Sequence, residues 1–285
     1  MTALLIPILI STLGAHPAMA QDDDGGSSSG GLGDIDDLLD EIDLGGAGSG
    51  PSSAELISYS GGLDQSAPDF AAGKTVSITH TTGDVTVYCQ DRQGISARIR
   101  YDLRGTDGPA LERLGKGIGM RTWGSSSSGG VTTRVPGASS TVKEKDIDLT
   151  VNLPPQANVK VSASRGRVEV VGCEGQVTIT AGDGVFVSGV LARLTATTSR
   201  GDAKVELSPA SALTSTNKVS AARGRVSLEL PSDYAGRIYA KAEDVSVWHR
   251  VDGTNSPGLV QGTVGGGGSA SLTVTAASSV DIGTP

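Results

Sequence analysis

The chain has 285 residues, 41 of them glycine, a 3% aromatic share and a formal net charge of −8 at pH 7. The acidity gives no electrostatic footprint for nucleic acid, and the scarcity of aromatic residues leaves little on which bases could stack. The charge is also uneven: residues 21–55 hold eight Asp and two Glu with no Lys or Arg, so the remainder of the chain carries +2.

Residues 1–20 contain no charged side chain. Leu4 to Ile10 forms a short apolar core and Ala18-Met19-Ala20 a small-x-small cleavage site, which together read as a secretory signal peptide. The stretch is too short, and too broken by Pro7, Gly14 and Pro17, to span a bilayer, and no later stretch is apolar enough. Export to the periplasm or the cell surface is the expectation.

Residues 21–55 alternate Gly/Ser tracts with acidic clusters, a composition that cannot bury enough apolar surface to offset chain entropy and predicts disorder. Within it Ile35, Leu38, Leu39 and Ile42 fall at helical spacing. That leaves two readings, a solvated linker or a short acidic motif that folds onto a basic partner. Residues 56–73 read as a further linker.

From residue 74 the pattern changes to strict alternation, the mark of half-buried strands. Val76-x-Ile78 passes through Thr82-Gly83-Asp84 into Val85-x-Val87. Ile95 to Leu103 and Ile147 to Leu153 keep the same period. Residues 104–142 between them read as long loops around short strands near Gly119–Trp123 and Val131–Thr133, with a possible helical turn at Leu111–Leu114. The span 95–153 is thus a β-hairpin insertion.

From Val159 one unit recurs: an apolar-x-apolar strand, a turn, a second apolar-x-apolar strand. The turns are Arg165-Gly166-Arg167, Gly182-Asp183-Gly184, Arg200-Gly201-Asp202, Arg223-Gly224-Arg225, Glu243-Asp244 and Ser278-Ser279. Val168, Val185, Ala203, Val226 and Val245 follow at steps of 17, 18, 23 and 19 residues. A period near twenty with a turn glycine in most units predicts stacked coils. The fold expected for 74–285 is therefore all-β, a β-solenoid with an insertion. A β-sandwich is the alternative, since its strands alternate as well.

The units Thr82-Gly83-Asp84-Val85-Thr86-Val87 and Ser199-Arg200-Gly201-Asp202-Ala203-Lys204-Val205 resemble those of a bacterial family of adhesin-like domains of unknown function. The resemblance covers roughly residues 74–284. It implies a first Gly-Asp coil, a longer β-insertion, a run of Gly-Asp coils and an envelope or surface role, with no catalytic residue to carry over. The chain departs from the pattern at Gly166-Arg167 and Gly224-Arg225, and lacks the turn glycine at Glu243-Asp244 and Ser278-Ser279.

Enzyme chemistry needs clustered titratable groups. Beyond the signal only His80 and His249 remain as histidines, neither in a metal-binding pair, and two cysteines 84 positions apart make no zinc site. No catalytic residue, metal or cofactor is expected. The leading function is a non-catalytic binding or structural module of the cell envelope, whose partner is an envelope or surface protein or glycan. A carbohydrate-active enzyme on a solenoid scaffold is the alternative.

Alignment of the turns places Arg165, Arg200 and Arg223 before the turn glycine, and Asp84, Arg167, Asp202, Arg225 and Asp244 after it. Two readings follow: an arginine track for an anionic polymer, or charges of alternating sign that pair between neighbouring coils, with Asp202, Arg225 and Asp244 as the interleaved set. Arg200-Gly201-Asp202 also spells an integrin-type tripeptide, which the repeat template produces whenever Arg precedes its Gly-Asp. Alternation turns Trp248 outward, either beneath the 251–270 segment, the favoured reading, or free as a contact point. Cys89 and Cys173 each lie just past the second strand of a coil. If the first coil stacks directly on the Val168 coil, they come within disulfide range, in a compartment where the bond persists.

Overall fold

The structure, a computed structural model, describes residues 55–189, 192–208, 213 and 216–284. The signal peptide and the acidic leader, residue 55 apart, therefore lie outside the described residues. Two large sheets face one another. In spatial order sheet A runs β1 (Ile57–Ala67), β4 (Ile95–Gly105), β7 (Val142–Leu153), β3 (Val85–Cys89), β9 (Arg167–Val171), β11 (Gly184–Gly189), β13 (Ala203–Leu207), β15 (Val226–Glu229), β21 (Ser279–Gly283) and β17 (Asp244–Val247). Sheet B runs β18 (Asp252–Ser256), β19 (Leu259–Val264), β16 (Gly236–Lys241), β20 (Ala270–Ala276), β14 (Thr216–Ala221), β12 (Arg193–Thr198), β10 (Gln176–Ala181), β8 (Asn158–Ala163), β2 (Thr75–His80), β6 (Ser128–Arg134) and β5 (Gly119–Gly124).

The all-β expectation holds, and both architectures weighed from the sequence are visible in the result. The chain crosses from sheet B to sheet A within each coil, and each strand pairs in parallel with its counterpart one coil away. Val168, Val185 and Ala203 are successive register partners, as stacked coils require. Each coil is so flat that the stack is also two facing layers, the arrangement of a sandwich. Alternation explains both. Every second residue points between the layers, where Val168, Val170, Ile179, Val187, Ala196 and Val205 are fully buried, while the residues between them face water. One coil alone could not cover its apolar row, so burial accrues only between neighbours.

The turn glycines follow from close stacking of the coils. Gly83 has φ +100°, and a Cβ there would fall on the Ile147 carbonyl. At Gly201, where φ is unremarkable, a Cβ would fall on the Asp183 carbonyl of the coil below. Glycine is required there because two backbones approach too closely for any side chain.

The first coil, β2–β3, stacks directly on β8–β9. Cys89 and Cys173 are disulfide-bonded across this junction with Cα atoms 4.8 Å apart. The bond fixes the sheet A side of the first coil. Its sheet B side is held by His80, fully buried, whose Nε2–H donates to the Ile147 carbonyl at 3.0 Å and whose Nδ1 accepts from the Thr133 hydroxyl at 2.7 Å.

Three expectations need correction. Residues 56–73, read as a linker, contain β1, an edge strand antiparallel to β4 from Ile57↔Gly105 to Ala67↔Ile95. Only Ala67 of its eleven residues is buried, so no apolar alternation announced it; backbone pairing holds it together with Gln65, bonded to the Met120 carbonyl and the Thr122 N–H, and Tyr59, stacked on Tyr101. The insertion at 95–153 is more than a hairpin. Its β4 and β7 continue sheet A, its β5–β6 hairpin continues sheet B through β2, and α1 (Gly108–Gly117) lies between them. Asp107 caps α1 by accepting the Ala110 N–H, and Leu111 and Leu114 are its buried face. Finally, the coils do not stack in chain order. The C-terminal coil, β20–β21, lies between β14–β15 and β16–β17. Burial accounts for the order: Leu272, Val274, Val280 and Ile282 are at most 1% exposed, whereas Val245 and Val247 on β17 are half-buried, as befits an edge.

Candidate functional site

The turn edge holds the arginines singled out from the sequence. The stack brings them onto one side of the molecule, but its chemistry is carried by aspartates. Asp84 Oδ1 accepts the Arg167 N–H at 2.7 Å, Asp183 Oδ2 the Gly166 N–H at 2.7 Å and Asp202 Oδ1 the Arg225 N–H at 2.8 Å. Each carboxylate thus satisfies a turn amide of the neighbouring coil. Asp183 also pairs with Arg200 at 2.7 Å, and that guanidinium, with the Gly166 N–H, holds its carboxyl below the usual range. In the Arg200-Gly201-Asp202 tripeptide both charged ends are engaged in coil-to-coil contacts. Arg165, Arg167, Arg223 and Arg225 are exposed, and Arg167 lies over the Phe186 ring at 5.8 Å, opposite Lys204 at the same distance.

The interleaved set Asp202, Arg225 and Asp244 is not realised. Asp202 meets the backbone of Arg225, and the Ser278-Ser279 turn intervenes between Arg225 and Asp244 because the C-terminal coil is inserted there. Trp248 is 80% exposed. The 251–270 segment does not cover it, because β18 and β19 pair onto β16 in sheet B instead.

The outer face of sheet B carries a pattern that the linear sequence hid. One row of register partners runs Thr132, Thr79, Ser162, Thr180, Thr197, Ser220 and Thr275, seven hydroxyls on seven adjacent strands, with Arg121 at one end and Lys241 at the other. The next row begins at Trp123, whose ring lies over Gly130. It continues through Ser77, Lys160, Thr178, Thr195, Lys218 and Thr273 to Tyr239. Along these eleven strands stand seven cations (Arg121, Arg134, Lys160, Arg193, Lys218, Arg237 and Lys241) and one carboxylate, Asp252 on the outermost strand. The strands of sheet A carry ten carboxylates. The signal that could have found this face is the row of outward positions in the repeats, Thr178-x-Thr180, Thr195-x-Thr197 and Thr273-x-Thr275. It becomes a surface only once the register is known.

Sheet A has an open groove of about 970 Å³ lined by Asp64, Arg98, Arg100, Asp148 and Asn152 among others. Asp64 pairs with Arg98 at 2.5 Å. Asp148 is exposed to the groove, and partial desolvation there, reinforced by neighbouring Asp146, pushes its carboxyl up. Asp146 and Asp148 share the outer face of β7. Among the described residues no group of three His, Cys, Asp or Glu could hold a metal ion, and no helix is long and apolar enough to cross a membrane.

No protein-family model and no curated protein matches the chain. Solved structures with similar shape include a candidate cell adhesion protein of Clostridium sporogenes, 12% identical, with a TM-score of 0.41 over 81% of this chain and 100% of that one. A candidate adhesin of Bacteroides fragilis is 11% identical, with a TM-score of 0.22 over 81% and 98%. A candidate lipid-binding protein of Parabacteroides distasonis is 10% identical, with a TM-score of 0.29 over 78% and 96%. At these values the likeness carries no argument about what this chain binds.

Proposed function

We propose that this chain is an exported, non-catalytic binding module of the cell envelope, adhesin-like in the sense that it works through an extended face rather than a pocket. The observation that carries the reading is the outer face of sheet B. Two ordered rows of outward side chains cross its strands at a spacing of about 4.8 Å, a layout suited to an elongated ligand. Export is supported by the apolar N-terminal segment ending in Ala18-Met19-Ala20 and by the Cys89–Cys173 disulfide.

The groove on sheet A favours one second reading, a polysaccharide-cleaving enzyme. Asp148, with its raised pKa, would be the acid, with Asp64 lining the same groove. Incubation of the full chain with a panel of polysaccharides separates the two. The binding reading expects co-sedimentation or retention without new reducing ends. New reducing ends that vanish in Asp148→Asn would establish the enzyme instead.

A further inference from the structure

We infer that the outer face of sheet B binds a linear acidic polysaccharide, of the kind that carries one carboxylate per disaccharide. The inference rests on the binding-module reading and names its ligand class.

Charge sets the sign. Carboxylates on strands are confined to sheet A, Asp252 apart, so a polyanion meets attraction on one broad face of the stack and mixed charge on the other. The fold does not demand that segregation, since outward contacts between coils, such as Lys204–Glu229 on sheet A and Thr275–Ser220 on sheet B, form on either face and do not fix the sign of the whole face.

Spacing sets the charge density. Lys160 and Lys218 share a row and stand three strand steps apart, about 14 Å. Lys218 and the β16 cations Arg237 and Lys241 are two steps apart, about 10 Å. Duplex DNA presents a charge about every 1.7 Å and would leave most of its phosphates unmatched here. A glycan with one acid group per two sugars is a far closer fit.

The side chains between the cations complete the match. Threonine and serine hydroxyls both donate and accept, as sugar hydroxyls do, and on adjacent strands they form a continuous polar track. Trp123, 41% exposed, stands at one end of the lysine row and Tyr239 near the other, each with a ring on the outer face where the apolar side of a sugar can rest. A lipid surface fits poorly, because the two rings of the row, Trp123 and Tyr239, stand at its opposite ends with only hydroxyl and lysine side chains between them, so no continuous apolar strip can enter the headgroups.

The test measures binding of the full chain to hyaluronate oligosaccharides by calorimetry. Dextran, single-stranded DNA and phosphatidylglycerol vesicles serve as comparison ligands. The expected result is hyaluronate binding that weakens with salt, falls at least about tenfold in Lys160→Glu/Lys218→Glu and falls in Trp123→Ala, but is unchanged in the turn-edge variant Arg223→Glu. All four positions are exposed, so the variants should fold, and circular dichroism checks that they do. Hyaluronate binding lost in Arg223→Glu but kept in Lys160→Glu/Lys218→Glu would move the site to the turn edge and overturn the inference. Tighter binding of DNA or vesicles would replace the ligand class and overturn it equally. Dextran bound identically by wild type and the lysine variant, with no hyaluronate binding, would refute the inference while leaving the binding module intact. Release of reducing ends without retention of any glycan would refute both.

Discussion

Sheets A and B are built by the same alternation and lined inside by the same small and branched residues, yet their outsides differ. On sheet A charges of both signs stand together and pair locally, as in Arg98–Asp64 and Lys204–Glu206. On sheet B cations stand among hydroxyls with almost no carboxylate. Folding constrains the inward rows and the turn glycines of both sheets equally and the outward rows far less, through exposed pairs such as Lys204–Glu206. A difference confined to the outward rows therefore reports on what each face meets.

The largest effect should come from removing something both sheets share. Deletion of residues 266–285 takes out the coil between β14–β15 and β16–β17 and leaves a gap in each sheet. Leu272, Val274, Val280 and Ile282 together contribute about 6–12 kcal/mol at 1.5–3 kcal/mol each, comparable to the whole stability of a typical domain. Loss of the cooperative thermal transition is expected. A clean, slightly lowered melt would mean that the coil lies at an end.

Next in size is the disulfide, which acts on the sheet A side only. Its cysteines are 84 residues apart, and closing such a loop is worth about 4–5 kcal/mol in the chain-entropy account. Urea denaturation of Cys89→Ala/Cys173→Ala should show a loss of that order. Local proteolysis should begin around the first coil.

On the sheet B side the corresponding fastener is His80, and its signature is pH. Burial is the largest influence on His80 and lowers its pKa from the ordinary 6.5, against smaller raising contributions from its carbonyl contacts and Asp84. In the window below 6.5 the unfolded chain binds a proton that the folded chain refuses, so this contribution is complete above that pH and is lost as pH falls. His80→Gln should flatten the melting temperature between pH 7 and pH 5. An unchanged slope would assign the acid sensitivity to other groups.

The smallest stability effects test the outward rows directly. Lys218→Glu on sheet B should change stability by no more than about 0.5 kcal/mol. Lys204→Glu on sheet A should lower the melting temperature more, because it sets a carboxylate beside Glu206 and Glu229. Equal losses from the two would erase the distinction between the faces.

The all-β class, the strands of the coils and the turn glycines were legible in the sequence, because each is a consequence of local spacing, and the Cys89–Cys173 bond was legible once the first coil was taken to stack on the Val168 coil. Period-two alternation and a turn roughly every twenty residues leave little choice of local structure. β1 was not legible, since an exposed edge strand shows no apolar alternation and is held by a neighbour's backbone and by single side chains such as Gln65 and Tyr59, whose partners lie far along the chain. Neither was the place of the C-terminal coil: a coil reads the same wherever it stacks, and only the competition for burial among Leu272, Ile282 and the half-buried Val245 and Val247 decides it. The candidate face belongs with these. Arg121, Lys160, Lys218 and Lys241 are scattered along 121 residues of chain, and only the register across nine strands brings them to one side.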